Sequence, residues 1–500
     1  MARRRRILFF TRRWILRRFA TTIAELERRG HEVVIAAPRG QQRSLPQELR
    51  RPGITNASYD EISDPEAGRA LALLRQTRDY LWYLGPEQEV GSHNRRRALE
   101  HLVRSASAGR TGADPAWPDP VVDLAEDDRV MLDEALGLLE TRLQPDEGVV
   151  EFLRRHRPDA VLVTPLVHQR AHQTEVVKAA RALGIPSGFL VYSLDNLSNK
   201  GRVHVAPDRT FTWNEAQRRE AVELHGLDPD SVVVTGAARW DEFFDHQPSV
   251  DRDEFCRRHG FDSARPIVLY VESTVGICPD ETPVVERWLD ALRAAPPPVG
   301  DANVLIRPHP GTSEYGHVWE RWQTPHERVS IVQNPRPADQ GLFDNLYHAA
   351  AVVGLNTSAQ IEASMLEKPT YTFAAGDLAP GQRGTRHFYY LLREHGGVVT
   401  YSETLDDHVR QLARGLAGEF DREAVRRFCE SWVRPRGFDR RVAPILADEI
   451  VALAATRPRR AALLDPARAR LARRPHGSLE RLKALRAPAP GAGKAGTSAP

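Results

Sequence analysis

The chain has 500 residues, 41% of them hydrophobic and 27% charged, with a formal net charge of +3. That length exceeds what one hydrophobic core serves and points to two domains with a tail, while the near-neutral balance excludes bulk nucleic-acid binding. No apolar run approaches the ~18–20 residues that a membrane-crossing helix needs.

The chain-order reading starts with a basic segment whose apolar stretch, residues 7–10, is too short for a signal peptide and is interrupted by Arg12 and Arg13. The same stretch is the right length for a buried strand. Ile15, Phe19, Ile23 and Leu26 follow at helical spacing up to Gly30, and residues 33–37 form a second strand. This β–α–β unit implies a parallel sheet covered on both faces. Residues 55–150 read as a helical insertion, with a helix over 70–84 and a loop over 105–120. Strands are then expected at 159–164, 187–192, 209–213 and 232–235, with helices over 174–183 and 215–225.

A boundary falls between residues 241 and 265, after which the rhythm repeats. Strands are expected at 267–271, 304–306, 329–332, 351–354, 370–373 and 398–401. The clearest helices cover 283–293, 342–350 and 359–366, and two more close the domain after Leu405. The expected architecture is α/β: two Rossmann-like domains facing across a cleft, residues 1–245 and 262–455, with a C-terminal basic tail. In that tail, 457–500, eleven Lys/Arg meet two acids; residues 463–485 suit an Arg-rich amphipathic helix and 487–500 a disordered end.

Two compositional facts limit what the motifs can mean. Only five of the 70 basic residues are Lys, so Arg runs reflect coding bias as much as chemistry. Cys256, Cys278 and Cys429 form no CxxC, which excludes a disulfide framework or a zinc knuckle and fits a reducing cytoplasm.

Ligands of open parallel sheets bind beyond the C-terminal strand ends, so the informative residues are those following strands. Residues 354–363 place a strand end, the polar loop Asn356, Thr357 and Ser358, and a helix opening near Thr357. A helix start of that kind receives a diphosphate, and Glu362 one turn on suits two ribose hydroxyls. On position alone, Thr357 is equally a helix cap and Glu362 a solvated first-turn acid. Arg307 and His309, in the run Arg307-Pro308-His309-Pro310, are aimed from a strand end by rigid prolines. The guanidinium suits phosphate oxygens; the imidazole suits phosphate donation or acid–base work, or a backbone bond of its own turn. Ser273 and Thr274 lie in a short polar loop after another strand, where backbone and hydroxyl groups approach phosphate. Asp195, Asn196 and Lys200 share a post-strand loop that suits a sugar or polyol, or is simply an Asx-rich turn.

The paired halves, the Arg307–Pro310 run, and Asn356-Thr357-Ser358 with Glu362 and Lys368-Pro369 resemble glycosyltransferase-B enzymes, chiefly over residues 265–400. The likeness is to bacterial transferases of the CDP-glycerol glycerophosphotransferase and capsular-polysaccharide type. Residues 371–378 are similar to the glycerophosphotransferase layout, and a comparable strand–loop–helix with a Glu occurs in UDP-N-acetylglucosamine 2-epimerase. The resemblance implies a nucleotide donor on the C-terminal domain, with Arg307 and His309 at its phosphates, Thr357 and Ser358 at the diphosphate and Glu362 at the ribose. Glu362 stands where the glycerophosphotransferases usually have Asp, which favours a nucleotide sugar over CDP-glycerol.

No DxD motif occupies a strand-end loop, so the expected transfer needs neither metal nor other cofactor. Its acceptor-side base is sought among Asp195, His168 and His172, with Asn196 and Lys200 binding the acceptor. The expected acceptor is a surface polysaccharide or lipid-linked molecule of the cell envelope. The basic start and tail then suit reversible docking on an anionic membrane surface from the cytoplasm, or an inert, compositionally biased surface. The rival functions are an isomerase of the 2-epimerase kind and a non-catalytic nucleotide- or glycan-binding protein.

Overall fold

A computed structural model describes residues 3–40, 45–85, 92–106, 123–168, 172–310, 322–333 and 340–456, together with Trp319. The expected tail, 457–500, and most of the expected loop at 105–120 lie outside the described residues.

Short apolar runs make the strands because a parallel strand covered by helices on both faces has no solvent side. Ile7, Leu8, Phe9 and Phe10 are all essentially inaccessible. The first sheet holds β1 (Arg6–Thr11), β2 (Glu32–Pro38), β3 (Ile54–Tyr59), β4 (Ala160–Thr164), β5 (Ser187–Leu190), β6 (Arg209–Thr212) and β7 (Val232–Val234). Its order is β3-β2-β1-β4-β5-β6-β7, all neighbours parallel. The second sheet holds β8 (Ile267–Val271), β9 (Asn303–Arg307), β10 (Val329–Ile331), β11 (Ala351–Val353), β12 (Thr370–Phe373) and β13 (Val399–Ser402). Its order is β10-β9-β8-β11-β12-β13, again parallel throughout. The protein is therefore two parallel-sheet α/β domains. Each strand order reverses direction once, at β1/β4 and at β8/β11, and such switch points open the crevices where ligands sit.

Two expectations are corrected. The insertion does not begin at residue 55, because β3 runs there, beside β2. Its solvent-facing Thr55 and Asn56 gave that strand no continuous apolar signature. Helices Pro65–Tyr83, Ser92–Ala106 and Glu126–Arg142 then form the insertion, tied to the sheet domain through buried charge. Arg75 reaches Glu140 at 2.8 Å and also Glu175, while Lys178 reaches Glu140 at 3.2 Å. Finally, the C-terminal domain does not keep residues up to 455. Helix Val442–Ala455 crosses back and packs Leu446, Ile450 and Leu453 against Ile7, Phe9 and Leu162 of the first sheet. Buried Asp241 fixes the crossing by accepting from the Val442 and Ala443 amides at 2.9 and 2.7 Å, which caps the helix start from outside. Gly188 makes room for it: a Cβ there would stand 2.9 Å from Leu453 and 2.7 Å from Leu162.

Candidate functional site

Both switch points open into the same interdomain cleft. Trp14 and Arg18 follow β1, His168 follows β4, Thr274 follows β8, and Asn356, Thr357 and Ser358 follow β11; all line one cavity of about 370 Å³. A second cavity of about 380 Å³ adjoins it, sharing Arg18, Arg239, His309, Thr357 and Ser358, and extends past Arg307, Glu272 and Glu362. Arg307 and the loop before the helix after β11 therefore face one space, with the N-terminal half across it.

Charge defines that space. Among the described lining residues, Arg18, Arg97, Lys200, Arg239 and Arg307 oppose the carboxylates Asp195, Glu272 and Glu362. The excess is cationic, so an anionic ligand relieves it. Arg18 donates to the Tyr192 carbonyl at 2.7 Å and forms no ion pair among the described residues. Burial, with the Arg239 cation beside it, pulls its pKa down to about 9. Arg239 sits in the short turn Ala238–Trp240, which packs on the turn Arg17–Phe19; that packing brings the two guanidinium groups together. Arg307 is buried and donates to Asn345 Oδ1 at 2.9 Å, which orients its fork.

The loop after β11 differs from expectation. Its helix is Ala359–Met365, starting two residues beyond Thr357. The Thr357 amide is taken by Gln360 Oε1 at 3.2 Å, and Gln360 in turn donates to the Gly354 carbonyl. The loop thus presents the Thr357 and Ser358 side chains to the cleft in place of a full row of amides. Glu362 is buried: its Oε1 accepts from Trp240 Nε1 at 2.9 Å and lies 3.6 Å from Arg239. It is no solvated acid, and one of its oxygens is already committed to an interdomain bond. Ser273 is also buried. Its Oγ accepts from the Asn356 amide at 3.1 Å, so it sets the loop and does not line either cavity. Asn356 donates to the Gln382 carbonyl and to Thr385 Oγ1, while its Oδ1 has no partner among the described residues.

His309 lines both cavities; its amide donates to Glu272 Oε2 at 2.6 Å, and burial lowers its pKa. Thr274 lines the first cavity and closes a turn by accepting from the Ile277 amide. On the N-terminal side, Asp195 accepts from Lys200 Nζ at 2.8 Å and Ser193 Oγ at 2.7 Å. Burial alone would raise its pKa, but Lys200 and His387 hold it well below the carboxylate range. His168 is pushed to about 4 by burial and then by the cations Lys200, Arg12 and Arg97, so it is uncharged at neutral pH.

Two acceptor-side expectations are corrected. Asn196 is fully buried, with Oδ1 accepting from the Tyr192 amide and Nδ2 donating to the Val167 carbonyl; it builds the loop and is absent from the cavity wall. His172 occupies the N-cap position of helix Gln173–Leu183 without a side-chain capping bond and lines neither cavity. Sequence reasoning missed Trp14, Arg18, Asn94, Arg97, Arg239 and His387. Position after β1 was a usable signal for Trp14 and Arg18, but the surrounding Arg-rich composition masked it.

No family model matches the chain, and no curated protein matches its sequence. Among solved structures, it is similar to a glycosyltransferase from Rickettsia africae (12% identity, TM-score 0.48, covering 90% of this chain and 98% of that one). It is likewise similar to UDP-GlcNAc 2-epimerase from Methanocaldococcus jannaschii (11%, 0.46, 89% and 99%) and to CalG4, the calicheamicin glycosyltransferase (15%, 0.45, 90% and 98%). At these identities the likeness is one of fold, and the fold stands on the two parallel sheets and the cleft between them.

Proposed function

We propose that the chain is a glycosyltransferase that moves a sugar, or a polyol phosphate, from a nucleotide-activated donor to a polysaccharide or lipid-linked acceptor. One observation carries the reading: Arg18 and Arg239 from one side and Arg307 from the other converge on a cleft with more cations than carboxylates. Such a site suits the charge that builds on a leaving nucleoside diphosphate. In this reading the three guanidinium groups hold the diphosphate without a metal, Thr357 and Ser358 add hydroxyl donors, and the second oxygen of Glu362 meets the ribose. His309, its amide fixed by Glu272, serves the donor phosphates as a hydrogen-bond donor. On the acceptor side, the neutral imidazole of His168 is a stronger base than Asp195, whose charge is spent on Lys200.

A second reading is an isomerase of the 2-epimerase kind, favoured by Asp195, His168 and His387 lining the same cavity. Incubation with a panel of nucleotide sugars separates the two. Slow release of nucleoside diphosphate marks the transferase, an isomerised sugar marks the epimerase, and binding without turnover sinks both. Among the described residues no helix is long and apolar enough to cross a membrane. The proposed site of action is the cytoplasmic membrane face, reached through the basic ends of the chain. Co-sedimentation with anionic liposomes at low salt and release at high salt is expected; no sedimentation at either ends that part of the proposal.

A further inference from the structure

In the proposed site the diphosphate occupies Arg18, Arg239 and Arg307. The rest of the cavity wall that the N-terminal sheet domain and its helical insertion build carries features that a diphosphate does not need. Trp14 is 52% exposed although Ile15 and Leu16 next to it are buried. Its ring is held edge-on by Tyr192 at 5.3 Å and 83°, and lies beside His168 at 6.1 Å. An indole fixed in orientation, yet left half in water at the rim of a polar cavity, offers a flat apolar face with a polar edge. One face of a pyranose ring is lined by C–H groups and matches it.

Arg97, from helix Ser92–Ala106, lines the same cavity. Its NH2 donates to Asn94 Oδ1 at 2.9 Å and to the Asn199 carbonyl, both neutral partners. Its Nε is buried and has no partner among the described residues, and the guanidinium also bonds the neutral Tyr83 hydroxyl, so its hydrogen-bond partners there are all uncharged. The side chain is nevertheless preorganised. A guanidinium only donates, so the Asn94 oxygen must face it, and the Asn94 amide nitrogen then donates to Asn199 Oδ1 at 2.9 Å. Lys200 stands on the same wall, neutralised by Asp195 at 2.8 Å. Burial first, and then the cations Lys200, Arg12 and Arg97, depress the titration of His168, so positive charge faces this imidazole.

We propose that this wall is the acceptor subsite and that the acceptor is a negatively charged carbohydrate, its ring packed on Trp14 and its carboxylate or phosphate held by Arg97 with Lys200 beside it. The word acceptor rests on the transferase reading; the charged-sugar site stands on the wall itself.

The test uses the full-length protein and calorimetric titrations of glucose, glucuronate, glucose 1-phosphate and inorganic phosphate, each with and without saturating UDP, CDP or GDP. Glucuronate or glucose 1-phosphate is expected to bind at least tenfold more tightly than glucose, and the better of the two identifies the anion as carboxylate or phosphate. Trp14→Ala should weaken the charged sugars at least fivefold without a matching loss for inorganic phosphate, and Trp14→Phe should restore most of it. Arg97→Gln should erase the advantage of charged over neutral sugar. Equal affinity for glucose and its charged relatives overturns the proposal, as does no charged-sugar binding, or variants within twofold of wild type. Parallel loss of nucleotide affinity in both variants also overturns it, because the damage is then general to the cleft. Charged-sugar binding in a protein that takes none of the three nucleotides removes the transferase reading and leaves the subsite.

Discussion

Glu362→Ala offers the most direct check on how the cleft is assembled. Trp240 is 1% exposed, and among the described residues its indole N–H is satisfied by the 2.9 Å bond to Glu362 Oε1 alone. Leaving a buried donor unpaired costs about 1–3 kcal/mol. The same substitution strips Arg239 of a counter-charge 3.6 Å away. At an effective dielectric of ~20 that attraction is about 4–5 kcal/mol gross, much of it offset by desolvation of the pair. The expected net loss is about 2–4 kcal/mol, read as a lower urea midpoint at unchanged slope. Glu362→Gln keeps an oxygen for Trp240 and loses only the ion pair, so it should fall about 1–2 kcal/mol short of wild type. Tryptophan fluorescence follows both, since Trp240 itself lies at the domain junction. An alanine variant within about 0.5 kcal/mol of wild type, or a glutamine variant as unstable as the alanine one, refutes the bridging role and returns Glu362 to ligand contact alone.

Arg307→Gln should weaken binding of the preferred nucleoside diphosphate by about 1.5–3 kcal/mol, the range for a lost charged hydrogen bond; calorimetry with UDP, CDP and GDP checks it, and unchanged affinity for all three removes Arg307 from the site. Glu281 governs part of the pH dependence. Burial, with the Glu272 charge adding to it, lifts Glu281 to about 7, although its oxygens accept from Tyr270 Oη at 2.6 Å and the Ser273 amide at 2.8 Å. Its unfolded pKa is near 4.3, so between roughly pH 4.3 and 7 the folded state holds a proton that the unfolded state releases, and stability falls as pH rises through that window. The wild-type advantage in urea midpoint over Glu281→Gln should therefore shrink from pH 5 to 8; Glu220, lifted to about 8 by burial, adds the same sign at higher pH, whereas His168 and His172, pushed down to about 4, act in the opposite sense below about pH 6.5. Gly381→Ala should disrupt the cleft floor, because its Cβ would stand 2.1 Å from the Gly276 carbonyl oxygen and 2.8 Å from Ile277 Cα. A loss of about 1–3 kcal/mol is expected, and a fully stable alanine variant would show that the two loops separate without cost.

The amino-acid sequence by itself determined the two α/β halves, because a strand buried on both faces writes a short apolar run that needs no partner to be legible. Residues 7–10, 33–37, 267–271 and 304–306 all lie within strands for that reason. It also placed Arg307 at a strand's end and His309, Thr357 and Ser358 beyond strand ends, where a parallel sheet leaves a crevice. It read β3 poorly, since an edge strand with exposed Thr55 and Asn56 lacks the double-sided signature. Only the tertiary structure brought Arg18 against Arg239, tied Trp240 to Glu362, buried Asn196 inside its loop, and sent helix Val442–Ala455 back across the first sheet. Those pairings join residues far apart in the chain, and no local periodicity encodes them. They follow from tertiary packing within and between the domains, with Asp241 capping a helix some two hundred residues away because burial left that carboxylate no water to bind.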